Sequence, residues 1–156
     1  MIYLIDVLNV IHTLVKEIKI CTPTYKHYLG KLPEDYKPPC YIYFLVYNGD
    51  SQSSCFVKDV TLDLQIIYFG KNDKYGTEDF EDKLNTMQKL KGFLSKFNLN
   101  VADRNLKFNY NFGETDEHLT INIQFKFKDG VINTKYDEEQ ARQMIENIYI
   151  NDKELI

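Results

Sequence analysis

A chain of 156 residues, 44% hydrophobic and 14% aromatic, is long enough to bury one sizeable core and too apolar to stay disordered. Its twelve tyrosines and ten phenylalanines, with no tryptophan, suit a broad, half-buried sheet surface. The formal charge of -4 argues against a protein that embraces a phosphate backbone, which normally carries a basic excess.

The first segment sets Leu4, Val7, Leu8, Ile11, Leu14, Val15 and Ile18 at helical spacing, with Lys16, Glu17 and Lys19 on other faces, and so predicts an amphipathic helix. From Cys21 to Pro39 the pattern dissolves into a loop with Pro23, Gly30, Pro33 and the Pro38-Pro39 pair. This loop carries Tyr25, Tyr28 and Tyr36 as anchors for a partner, and is expected to be mobile in a free subunit and ordered in an assembly. Tyr41 to Tyr47 reads as a strand with both faces apolar or aromatic, so both should be covered. Asn48-Gly49-Asp50 reads as a turn into a second strand, where Val60, Leu62, Leu64, Ile66 and Tyr68 alternate with Thr61, Asp63 and Gln65.

Gly70 and Gly76 bracket a polar loop, and Thr77 is placed to cap a helix whose buried stripe would be Phe80, Leu84, Met87, Leu90, Leu94 and Phe97. A second hairpin follows, with Leu106, Phe108, Tyr110 and Phe112 on one strand and Leu119, Ile121, Ile123, Phe125 and Phe127 on the other. The turn is expected at Gly113 to Asp116. Phe108, Tyr110, Ile121, Ile123 and Phe125 should form the core with Leu84, Met87 and Leu94. Asp137 and Gln140 resemble a capping box that opens a short final helix over Ala141 to Ile148. The expected fold is therefore a single α+β domain spanning residues 1-156, mainly antiparallel sheet built of hairpins with helices packed on one face.

Cys21, Cys40 and Cys55 form no Cys-x-x-Cys pair, and an odd number of widely spaced cysteines fits a reduced intracellular protein. No run is apolar and long enough to cross a bilayer and no leader is evident, so synthesis in a cytoplasm without membrane contact is expected. His12, His27 and His118 stand in no familiar zinc or hydrolase spacing. His12 is expected to be a satisfied structural histidine and His118 to be solvated. Catalytic residues, metal ligands and a cofactor are not expected. Glu78, Asp79, Glu81 and Asp82 could be taken for a metal cluster, but a first helical turn stabilised by its dipole accounts for them. Tyr41, Tyr43 and Tyr47 could stack bases, yet their strand has no interleaved Arg or Lys, which favours a core or subunit interface. With Tyr25, Tyr28 and Tyr36 they make up the candidate interface.

Asp6-Val7-Leu8-Asn9-Val10-Ile11, the approach Lys37-Pro38-Pro39-Cys40-Tyr41-Ile42-Tyr43-Phe44, and Leu64-Gln65-Ile66-Ile67-Tyr68-Phe69 together resemble the small tail terminator proteins of tailed phages and phage-tail-like particles of Gram-positive hosts. These are apolar patterns and not a catalytic signature. The resemblance implies a structural protein of the virion. Copies of it would form a ring, usually of six, that caps the tail tube, stops its polymerisation and offers a surface to the neck or head connector. In contractile tails it would also touch the sheath, and DNA would pass through the ring only as cargo. Other readings stay open beside it: another neck or tail-completion protein, a stand-alone intracellular binding module and, last, a metal-dependent enzyme.

Overall fold

Asp6 starts the first helix, its carboxylate accepting the Leu8 N–H at 2.9 Å, and α1 runs over Val7–Cys21. The computed structural model describes residues 5–72, 76 and 78–130. The expectations on Leu4, on Thr77 and on a helix over Ala141 to Ile148 lie outside the described residues. After α1 come β1 (Lys26–Leu29), β2 (Cys40–Gln52), β3 (Val57–Phe69), α2 (Phe80–Leu94), β4 (Asn98–Val101), β5 (Arg104–Thr115) and β6 (His118–Gly130). The strands form one sheet in the order β1-β2-β3-β6-β5-β4. Every neighbour pair is antiparallel except β1 with β2. This is the α+β domain that the hairpin patterns predict, with two helices among the described residues and a curled, mostly antiparallel sheet.

Period-two alternation fixes the faces. Leu62, Leu64 and Ile66 on β3 stand opposite Phe125, Ile123 and Ile121 on β6, and all are buried with Val10, Leu14 and Ile18 of α1 and Leu90, Phe93 and Leu94 of α2. Phe108 joins them, whereas Tyr110 and Met87 are only partly buried. Three expectations need correction here. Asn48-Gly49-Asp50 is not a turn: β2 continues through it, paired to Thr61 and its neighbours, and the reversal comes at Ser53 to Phe56. The β5–β6 turn is Asp116-Glu117, both at positive φ, the signature of a tight two-residue hairpin, and not Gly113 to Asp116. The Cys21 to Pro39 segment is not wholly loop, because Lys26–Leu29 adds a parallel strand to β2.

The helix stripes are also rotated from their expected positions. On α1, Val10 lies in the core and Leu8 in solvent. On α2, Lys83, Thr86 and Phe93 are buried beside Leu90 and Leu94, while Phe80, Leu84 and Phe97 are exposed. Polar partners decide the second case. Lys83 and Thr86 meet hydrogen-bonding groups on the sheet side, so the core accepts them and turns the apolar Phe80 and Leu84 outward. Asp79 caps α2, accepting the Glu81 N–H at 3.1 Å. At the far end of the sheet the buried Asp129 carboxylate accepts the Ile5 N–H at 2.8 Å and pairs with Arg104 at 2.9 Å, which ties the start of α1 to β5 and β6.

Candidate assembly surface

The tyrosines separate into two groups. Tyr41 and Tyr43 are 0% and 4% exposed, whereas Leu45, Val46 and Tyr47, further along the same strand, are 52%, 60% and 54% exposed. Tyr41 and Tyr43 therefore offer no area to a neighbour, and neither face of β2 is covered beyond Phe44. The reason is tertiary: β1 flanks β2 only from Cys40 to Tyr43, and a bulge between Leu45 and Tyr47 then shifts the register against β3.

The buried group is an aromatic cluster with its hydroxyls satisfied. Tyr25 stacks on Tyr68 at 5.6 Å, Tyr41 lies 5.3 Å from Tyr68, and His27 stacks on Tyr41 at 5.4 Å between ring centres. Tyr41 and Thr22 hydroxyls lie 3.0 Å apart, Tyr25 and Thr86 hydroxyls 3.3 Å, and the Tyr43 hydroxyl sits 2.8 Å from His27 Nδ1. Tyr68 donates to Asp82 Oδ2 at 2.6 Å. Burial raises the phenols of Tyr41, Tyr43 and Tyr68 well above the ordinary range, and the Asp82 carboxylate reinforces this at Tyr68. Burial, with Lys19 nearby, pushes the His27 ring below 6.5, and burial lifts the Cys40 thiol to about 11. These groups are structural locks held in their neutral forms. Of the remaining candidates, Tyr28 is half-buried on β1, and Tyr36 is exposed in the following loop with its ring 5.6 Å from Phe69.

The acidic run is divided among separate tasks. Asp79 caps, Glu81 faces solvent and Asp82 holds Tyr68. The Glu78 side chain is 8% exposed; it accepts the Gly70 N–H at 3.0 Å, contacts His118 Nδ1 at 2.6 Å and stands 3.8 Å from the Lys83 ammonium. His118 is thus no solvated hairpin residue: it bridges Glu78 and the Phe69 ring, 4.2 Å away. His12, expected to be a satisfied structural histidine, is instead exposed on α1. Among the described residues no group of three or more His, Cys, Asp or Glu converges on a point that could hold a metal ion. No described helix is long and apolar enough to cross a membrane.

Two parts of the described surface stand out beside the exposed Leu8, Ile20, Phe80 and Leu84 of the helices. One is the bare half of β2 with its hairpin tip, where Leu45, Val46, Tyr47 and Phe56 face solvent. The other is the sheet face opposite the helices, a polar surface on which Gln65 donates to Asn122 and Asn122 to Asn111, at 3.2 and 2.9 Å. A shallow hollow of about 350 Å³ beside this amide chain is lined by Val46, Asp63, Asn109, Asn111, Asn122 and Gln124. Sequence reasoning included Val46 only as part of the apolar strand Tyr41 to Tyr47, and did not single out Phe56 or Asp63.

The family model described as phage tail terminator protein matches residues 9–141, from within α1 past the end of β6. No curated protein matches the chain.

Proposed function

The chain belongs to the phage tail terminator family, and on that premise we propose that it closes the end of a phage tail tube. It is a structural component of the tail. In the proposed reading six copies form a ring on the last layer of tube protein, halt its polymerisation and present the opposite side to the neck or head connector. In a contractile tail the ring also abuts the sheath, and DNA passes through it as cargo.

The observation that carries this reading is the family match over residues 9–141. The architecture supports it. A head-to-tail ring needs two unlike patches per subunit, and the Leu45 to Gln52 half of β2 and the amide-rich Asn109 to Gly113 stretch of β5 differ in chemistry and are separated by β3 and β6 in the sheet. The decisive measurement is tail length in particles assembled without this protein. Tails of uncontrolled length, or tails not joined to heads, are the expected result. Tails of normal length on filled heads would refute the reading.

A further inference from the structure

The ring requires a specific contact between neighbouring copies, and the following inference rests on that reading. We propose that the contact continues the β-sheet itself: the bare edge of β2, residues 47–51, in one subunit pairs antiparallel with the bare edge of β5, residues 109–113, in the next. β2 has β1 beside it only from Cys40 to Tyr43, and β5 has β4 beside it only from Arg104 to Lys107, with the Phe108 N–H donating to the Phe97 carbonyl. Among the described residues nothing pairs with the outer edges beyond those points. Unpaired strand edges are templates for another strand, and proteins that must stay apart guard them with lysine, proline or charge. Residues 44–52 contain no Lys, Arg or Pro, and residues 109–113 contain no charge at all. Arg104 and Lys107 stand in the half of β5 that β4 already covers.

The two edges are complementary in direction and in face. β2, β3, β6 and β5 are antiparallel at each step, so β5 runs opposite to β2. A head-to-tail copy therefore sets β5 against an oppositely directed β2, and the alternation carries on across the boundary. The polar face carries Asn109, Asn111 and Gly113 on β5, and beyond the bulge it carries Tyr47 and Gly49, which stand opposite Asp63 and Thr61. Pairing Gly113 with Tyr47, Asn111 with Gly49 and Asn109 with Ser51 keeps both faces continuous, as the two-residue side-chain period demands. This register sets Asn111, the end of the Gln65–Asn122–Asn111 amide chain, beside the neighbour's Gly49, over which the Tyr47 ring lies.

The edges also interlock along the strands. Asn48 is level with Leu62, Phe125 and Phe108, so the bare half of β2 lies across from the covered half of β5. Matching the bare halves in this register shifts the neighbour by about four residues, roughly 13 Å. A stagger of this kind closes into a ring only if the strands incline to its axis, as they do in barrels. The β2–β3 tip, with exposed Phe56, then abuts the start of β4, where exposed Phe97 stacks on Tyr110.

The test uses purified protein with the exposed Cys55 changed to Ser, and with Ser51→Cys and Asn109→Cys in one chain. Both new thiols stand at exposed positions off the core. Oxidation should yield a ladder of covalent multimers ending at the ring number, and each single variant should remain monomeric on the denaturing gel. Amides 47–51 and 109–113 should exchange about tenfold more slowly on assembly. Dimers from Ser51→Cys alone would show a symmetric β2–β2 contact and overturn the inference. Rings seen by mass with no cross-link and no new amide protection would overturn it while leaving the ring reading intact. A chain that never assembles, with or without tube protein, would bring down both.

Discussion

The two halves of β2 are the most instructive comparison in the molecule. Cys40 to Tyr43 has a strand on each side and packs into an aromatic cluster whose hydroxyls are all paired. Leu45 to Gln52 is similarly rich in large apolar side chains at its start, yet it has one neighbour strand and faces solvent. Composition along a strand thus says that apolar surface must be covered. It does not say whether the cover comes from the same chain or from another.

Breaking the inner half should have the largest effect. Tyr41→Ala should lower stability by about 3–5 kcal/mol, the usual range for removing a fully buried aromatic ring, as read from denaturant unfolding. An unchanged midpoint would mean that the cluster is not the lock described here. Tyr68→Phe is the finer cut: it keeps the ring but leaves Asp82 without its 2.6 Å donor, and should cost roughly 1–3 kcal/mol. If the loss is negligible, water has taken the place of the hydroxyl.

His27 sharpens the comparison through pH. Its ring is held below 6.5 in the folded protein, so the unfolded chain takes up the proton first as pH falls. Between 6.5 and the lower folded value the unfolded state binds more protons, and stability therefore declines on acidification. His27→Gln should flatten that part of the stability-versus-pH curve, and parallel curves for the two proteins would remove His27 from the account.

The outer half should respond in the opposite way. Leu45→Asp and Val46→Thr alter exposed side chains and should change stability by no more than about 0.5 kcal/mol. Leu45→Asp should nonetheless reduce self-association, measured by mass at matched concentration. A large loss of stability with assembly intact would show that this half is covered within its own subunit.

Much of the fold was legible in the sequence because burial on one sheet face writes a period of two into the chain. Val60 to Tyr68 follows that rule without exception and Leu119 to Phe125 breaks it only at the buried Thr120, and the α+β class follows from their order. The four-residue strands β1 and β4 were not legible, since Lys26–Leu29 and Asn98–Val101 are too short to display a period. β4 further depends on a hairpin turn at Ala102-Asp103, where Asp103 suits positive φ but Ala102 does not advertise it.

The sequence by itself determined which segments must be hidden: the apolar stripes, the alternating strands and the tyrosine-rich stretch. Only the tertiary structure decided what hides each one. Lys83 and Thr86 enter the core because acceptors and hydroxyls await them there, and Phe80 is turned out in consequence. Tyr43 is sealed and Tyr47 is bare because β1 stops alongside Tyr43 and a bulge follows. Side-chain hydrophobicity is a local property of the chain, but a strand's neighbours and a buried group's partners come from distant segments, and they are fixed only when the sheet closes around the core.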